Sequence, residues 1–167
     1  MPQPVQYRGM TLIVPDNDSE WKEYYEHARA HRLVVRTCTA CGLLRYPPTH
    51  ACPWCMELGW AWQEVSGRGT IYSYEIVVHA IQPGFKELAP YPVVLVELDE
   101  QRGAPSPDEA LRIIGNLVKP DLAPEEDKNV AIGKRVRVIF QDLADHMALP
   151  QFTLTDEPPQ GRVWRLA

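Results

Sequence analysis

The chain lacks any run approaching the roughly 18 consecutive apolar residues that a membrane-spanning helix requires. Its first thirty positions hold Asp16, Asp18, Glu20, Glu23 and Glu26 where a signal peptide would carry an apolar core. A cytoplasmic protein is expected. Positive charge is also short: the 167 residues carry 17 Lys and Arg against 22 Asp and Glu, a formal net charge of -5. Residues 1–70 hold seven basic and seven acidic side chains, and residues 71–167 hold ten and fifteen. That imbalance counts against a broad phosphate-binding surface. Common catalytic templates are missing too, with no G-x-S-x-G, Walker A, G-x-G-x-x-G or H-E-x-x-H pattern.

What is present describes a small, mainly β protein. Hydrophobic residues make up 45% and charged residues 23%, enough to bury a core. The 16 prolines disfavour a helical bundle and suit short strands joined by turns. Residues 1–15 show no periodicity and read as an extended arm. Asn17 and Glu20 stand in capping-box spacing, so a helix is expected over residues 18–31. Trp21, Tyr24, Tyr25 and Ala28 form one stripe along it. That stripe either packs on the chain's own core or serves as a docking face for another protein.

After Gly67-Arg68-Gly69 the pattern turns to strands. Candidates are residues 70–79, with Tyr72, Tyr74, Ile76 and Val78 on one face, then 93–98, 111–118, 135–140 and 150–154. Five short strands separated by Gly and Pro favour a five-stranded OB-fold barrel. Residues 101–108 and 120–129 read as surface loops, the second acidic with room for one helical turn. The expected organisation is an arm and amphipathic helix (1–32), a cysteine-bearing ribbon (33–66), the barrel (67–155) and a tail (156–167) on which Val163, Trp164 and Leu166 tuck back.

The sharpest chemical signal is in the ribbon. Cys38-Thr39-Ala40-Cys41-Gly42 is followed after ten residues by Cys52-Pro53-Trp54-Cys55. Two C-x-x-C turns can close a tetrahedron of thiolates around one metal ion, and such short loops in a reducing compartment argue against disulfides. Zinc is the default occupant, in a structural site with no open position, and iron is the less favoured alternative. With four thiols available, His50 reads as a surface or supporting residue. A thirty-residue segment builds little core of its own, so ligation would supply folding free energy that packing does not. None of the cysteines is left over as a nucleophile. His79 and His146 are acid–base candidates only if a carboxylate stands beside them, and isolated histidines are more often surface or core residues.

Taken together, Arg36-x-Cys38-x-x-Cys41-Gly42, Pro47-Pro48, Cys52-Pro53-x-Cys55, the strand Gly67-Arg68-Gly69-Thr70-Ile71-Tyr72-Ser73-Tyr74, Pro90-Tyr91-Pro92, Val96-Glu97-Leu98-Asp99 and Ile132-Gly133-x-x-Val136 resemble the zinc-ribbon/OB-fold acyl-CoA-associated family. The likeness spans residues 18–155. It implies a rubredoxin-like zinc ribbon before an OB-fold, with Cys38, Cys41, Cys52 and Cys55 as metal ligands. It also implies a non-catalytic accessory subunit beside a thiolase-fold enzyme, whether thiolase, acyltransferase or sterol side-chain aldolase, that acts on acyl-CoA thioesters in lipid or steroid degradation. The longer N-terminal arm and the acidic stretch at residues 120–129 depart from the shortest members.

For a channel shared with such a partner, aromatic walls and a few cations are needed. Trp54, Tyr74 and Phe85 are candidates for the walls, and Arg68 or Lys86 for a phosphate contact. Ordinary turn and core packing is the competing role for each. Two other readings remain at this level: a single-stranded nucleic-acid-binding module, which the negative charge disfavours, and an iron electron carrier.

Overall fold

The computed structural model describes residues 4–13, 19–145 and 147–165. The N-terminal arm is a correction to the expectation. Its described part is a hairpin in which β1 (Pro4–Tyr7) pairs antiparallel with β2 (Met10–Ile13). Arg8 and Gly9 take φ of 50° and 72°, the left-handed pair that matches a two-residue hairpin to strand twist. Val5 and Tyr7 are buried, and the Tyr7 ring lies 5.8 Å from Phe85. Two apolar positions per strand are too few to stand out as a period.

The expected helix is α1 (Ser19–Arg29); the proposed cap Asn17 lies outside the described residues. At its C-terminal end His31 adopts φ 55°. The Arg32 N–H donates to the His27 carbonyl at 3.1 Å and the His31 N–H to that of Ala28 at 2.9 Å. This is a Schellman cap with histidine where glycine is usual. Tyr24 is buried, and Trp21 and Tyr25 pack against the same core. Tyr24 stands 5.4 Å from Tyr25 and 5.8 Å from Tyr46 between ring centroids.

The ribbon is a three-stranded antiparallel sheet of β3 (Val34–Cys38), β4 (Leu44–Arg45) and β5 (Trp60–Glu64), in the order β4-β3-β5. The barrel follows as β6 (Arg68–Val77), β7 (Tyr91–Leu98), β8 (Arg112–Asn116), β9 (Arg135–Ala144) and β10 (Met147–Leu154), in the order β10-β9-β6-β7-β8. Five strands are what the sequence predicts, although β9 and β10 reach further into the expected loop around residue 145. The ends of the sheet meet through a bridge between Leu117 and Phe152, with the Val118 N–H on the Phe152 carbonyl at 2.8 Å. The Gly67-Arg68-Gly69 entry to β6 is sterically required. Gly67 has φ 69° with Val138 at 2.2 Å from where a Cβ would stand, and a Cβ on Gly69 would meet the Glu97 carbonyl at 2.5 Å.

Within β6 the predicted single face fails for a definable reason. A bulge between Ile71 and Ser73 leaves Tyr72 without a partner on β7 and resets the alternation. Ile71 becomes the core residue, while Tyr74 and Ile76 pack against the core. Tyr72 turns outward beneath the Arg112 guanidinium, 3.7 Å from its ring centroid, and Val78 is exposed beyond the strand end.

The loop at 101–108 is also a correction, because Gln101, at the end of the short 3-10 turn Asp99–Gln101, is buried. The loop at 120–129 does hold a single turn, Asp127–Asn129. The tail is held by its backbone, with Ile132 bridged to Trp164. The Val163 and Trp164 side chains remain about half exposed, and Leu166 lies outside the described residues.

Ribbon and barrel share one core. Leu33, Val34, Val35 and Leu44 pack with Ile71, Val94, Val96, Leu98 and Phe152. Gln101 fastens the joint: its Oε1 accepts the Leu44 N–H at 2.7 Å and its Nε2 donates to the Leu44 carbonyl at 2.8 Å. One side chain thus does for β4 what a neighbouring strand would do.

Candidate metal centre and its surroundings

The two C-x-x-C turns are built alike. The Gly42 N–H donates to the Cys38 carbonyl and the Met56 N–H to the Cys52 carbonyl, each at 2.9 Å, so each turn folds its two sulfurs to one side. Cys38 and Cys52 are buried, Cys41 and Cys55 exposed, and none forms a disulfide. The four Sγ atoms lie within 4.8 Å of one another, with Cys38–Cys55 at 3.6 Å and Cys41–Cys52 at 3.7 Å. A regular tetrahedron with metal–sulfur arms of about 2.3 Å has edges of about 3.8 Å, so the donor set fits one thiolate-bound ion.

Four sulfurs this close do not all carry charge without a cation. The Cys38 thiol is lowered to about 6, first by the Cys41 backbone N–H donating to it. The Cys55 thiol is pushed up to about 12: the Glu57 backbone N–H lowers it, but desolvation and the neighbouring thiols prevail. The Cys52 thiol is likewise lowered and the Cys41 thiol raised, so each close pair sets a lowered thiol against a raised one, a mutual repulsion of charge that a bound divalent ion would relieve.

The knuckle has its own small core of Cys38, Leu43 and Cys52, and its outer surface is apolar. Trp54, Met56 and Leu58 are 53%, 72% and 68% exposed, and Met56 takes φ 62°. Beneath, β5 presents Trp60 and Trp62 to a buried arginine. The Arg36 guanidinium lies 3.7 Å from the Trp60 centroid and 5.3 Å from that of Trp62, and its Nη1 donates to the Thr49 carbonyl at 3.1 Å. Trp62 Nε1 donates to Glu23 of α1 at 2.5 Å, joining ribbon to helix.

The remaining candidates are dispersed. Phe85 and Lys86 lie on the turn Pro83–Leu88, where Phe85 stands between Tyr7 and Tyr91, 5.8 Å from each ring. Arg68 pairs with Glu157 of the tail. Tyr74 packs against the barrel core, and Trp54 is at the ribbon tip. Of these five, only Phe85 lines the crevice formed with Tyr7, Leu88, Tyr91 and Leu117. Tyr24, Tyr25 and Tyr46 line a second groove with Ile114, Leu149 and Pro150. Burial pushes the Tyr24 hydroxyl well above its ordinary range, helped by Tyr46 and Tyr25. His79 is exposed, and His146 lies outside the described residues.

Sequence reading missed Gln101, Arg36 and Arg45. The signal for Arg36 was available: Trp60 and Trp62 share one face of β5, and Trp62 falls opposite Arg36 in register.

A four-sulfur ribbon sharing its core with a five-stranded barrel defines a zinc-ribbon/OB-fold protein. The family model for the ChsH2 rubredoxin-like zinc ribbon domain matches residues 26–57, and that for the ChsH2 C-terminal OB-fold domain matches residues 62–141. A "DUF35 domain-containing scaffold protein" of Methanocaldococcus jannaschii is 33% identical over 115 residues, covering 68% of this chain and 70% of the relative. The chain belongs to this ChsH2/DUF35 family. A "probable enoyl-CoA hydratase alpha subunit" of Thermomonospora curvata is 35% identical over 129 residues, 77% of this chain. The chain spans only 35% of that relative's length. Among solved structures, the "Ltp2-ChsH2(DUF35) aldolase" has a similar chain with TM-score 0.67 and 31% identity, covering 84% of this chain and 98% of that one. No helix among the described residues is long and apolar enough to cross a membrane.

Proposed function

We propose that this chain is a non-catalytic accessory subunit that binds and supports a thiolase-fold enzyme acting on acyl-CoA thioesters of lipid or sterol side-chain breakdown. One structural zinc ion held by Cys38, Cys41, Cys52 and Cys55 would complete it. The observation that carries this reading is the closed shell of four sulfurs in a chain whose similar solved neighbour is a subunit of an aldolase assembly. All four donors are spent on the ion, leaving no position for substrate, so zinc there would supply rigidity and charge neutralisation.

This chain's residues then do the positioning. The Arg36–Trp60–Trp62 stack braces the ribbon internally, the Gln101 clamp fixes it on the barrel, and the knuckle carries the exposed Trp54, Met56 and Leu58. The carbon–carbon bond chemistry belongs to the partner. Co-expression with a thiolase-like protein encoded beside it should give a stable heteromer more active on acyl-CoA than the partner alone. A fully active, soluble partner in its absence, or turnover of a CoA ester by this chain in isolation, would refute the reading. Metal analysis of colourless protein should give one zinc per chain; a coloured iron centre would overturn that assignment.

A further inference from the structure

We propose that the four-sulfur centre is a staple that converts on oxidation: hydrogen peroxide displaces the metal ion and leaves the two turns joined by Cys38–Cys55 and Cys41–Cys52 disulfides, so that the ribbon stays closed without metal. The inference rests on the reading of Cys38, Cys41, Cys52 and Cys55 as one metal site, and it is independent of the partner's identity.

Access differs between the sulfurs. Cys41 and Cys55, one in each turn, are exposed, whereas Cys38 and Cys52 are buried. The space beside the exposed pair is open: a Cβ on Gly42, next to Cys41, would meet nothing within 4 Å, and Met56, next to Cys55, is itself 72% exposed. A small oxidant therefore meets Cys41 or Cys55 first.

The geometry then selects the second sulfur. Cys55 stands 3.6 Å from Cys38 and Cys41 stands 3.7 Å from Cys52, so each exposed sulfur faces a buried one of the opposite turn. Each buried sulfur is held by amides of its own turn, Cys38 by those of Cys41 and Ala40, and Cys52 by those of Cys55 and Trp54. A bridge across the turns only shortens the existing gap to about 2.05 Å. A bridge inside one turn would draw the exposed sulfur over the amides that hold its buried neighbour.

Atoms and electrons balance with peroxide as the oxidant. The Cys55 thiolate attacks one peroxide oxygen, the O–O bond breaks, and a sulfenic acid forms while the other oxygen leaves as hydroxide and takes a proton to become water. The Cys38 thiolate attacks the sulfenic sulfur; the S–S bond forms, the S–O bond breaks, and hydroxide again leaves as water. Cys41 and Cys52 repeat the sequence with a second peroxide. With no thiolate left to bind it, the divalent ion is released at its original charge. Four thiolates around a divalent ion leave a net negative charge, whereas two disulfides are neutral. Oxidation thus changes the charge beside the exposed Trp54 and preserves the link between the turns that carry the Cys38, Leu43 and Cys52 core.

The test titrates the full, reduced, zinc-loaded chain with hydrogen peroxide while a zinc-sensitive dye reports release. Zinc should leave completely at about two equivalents of peroxide per chain, the oxidised chain should weigh about 4 Da less than the reduced metal-free chain, and dithiothreitol with zinc should restore the starting state. Trypsin cuts after Arg36, Arg45 and Arg68, so peptides 37–45 and 46–68 should stay joined, with the pairing read by fragmentation. Hydrogen exchange of residues 38–62 in the oxidised chain should stay near that of the zinc form, whereas chelation of the reduced chain should remove that protection. Peptides that separate, any other pairing, sulfinic acids in place of disulfides, lost protection, or zinc retained in excess peroxide would overturn the proposal. A reduced chain that binds no zinc would overturn the metal-site reading and the conversion together. A chain that binds zinc and fails a peroxide readout overturns the conversion alone.

Discussion

Replacing Gln101 with leucine tests whether ribbon and barrel are one cooperative unit. The substitution keeps the apolar volume and deletes the two hydrogen bonds to the backbone of Leu44, at 2.7 and 2.8 Å, together with the bond to the Glu109 carbonyl at 3.2 Å. Leu44 is itself buried, so its N–H and C=O lose their partners where water reaches poorly. Each buried group so orphaned costs about 1–3 kcal/mol, giving about 2–6 kcal/mol for the pair. That is a large part of the about 5–15 kcal/mol that holds a domain folded. With a urea slope of about 2 kcal/mol/M, the midpoint should fall by about 1–3 M.

The assay is urea unfolding of metal-loaded protein in which Trp21 and Trp164 are replaced by Phe, so that fluorescence reports the three ribbon tryptophans of the chain's five, followed in parallel by far-ultraviolet circular dichroism of the barrel strands. Coincident curves are expected where Gln101 is kept. In Q101L the fluorescence change should come first, because the clamp joins the two sheets and the barrel's own ladder is untouched. A shift below about 0.3 M at unchanged slope, with the curves still coincident, would refute the reasoning.

Replacing Cys52 with serine should abolish stoichiometric zinc. Hydrogen exchange should then show residues 38–62 losing protection while β6 to β10 keep theirs, since metal ligation supplies the folding free energy of such knuckles; retained protection in the ribbon would contradict this. Asp99 binds the buried Arg135 guanidinium through bonds of 2.8 and 2.5 Å, and hydrogen bonding from Arg135 holds its carboxyl below the usual range. A depressed carboxylate contributes stability that is fully present above its unfolded value of about 3.9 and is lost as pH falls through the lower folded value. D99N should therefore lose about 1–3 kcal/mol at neutral pH, less than a fully buried pair because Asp99 is about a third exposed. It should also flatten the dependence of thermal stability on pH below about 4; an unchanged acid limb would show that the pair contributes nothing.

The fold was legible where sequence pattern and chemistry coincide. Two C-x-x-C turns can be placed by spacing alone, and the near-continuous run Val93 to Leu98 announces a strand, although its burial alternates and only one face is fully enclosed. The Gly67-Arg68-Gly69 signature is visible because two close approaches forbid a side chain. Legibility ended where a residue's role depends on a distant partner. Nothing local distinguishes Gln101 from any loop glutamine, because its function lies in the backbone of Leu44, 57 residues away. Tyr72 was misassigned because a bulge consumes one residue without changing the apolar alternation around it. The channel candidates Trp54, Arg68, Tyr74, Phe85 and Lys86 were chosen by type, and residue type does not carry distance.

The shared core bears on how the accessory role proposed above could operate. Had the ribbon packed only on itself, metal binding would stabilise a tethered knuckle whose orientation relative to the barrel was free. Instead Leu33, Val34, Val35 and Leu44 are buried with the barrel's Ile71 and Val96, Gln101 clamps β4, and Trp62 is tied to Glu23 of α1. Order imposed at the four sulfurs is therefore passed to a groove between ribbon and barrel, because Leu43 belongs to the knuckle core and lines that groove with Pro53, together with residues 108–112. Loss of metal should release Leu43 and Pro53 while leaving residues 108–112 in place on the barrel side. The ribbon should therefore lose its order before the barrel itself unfolds.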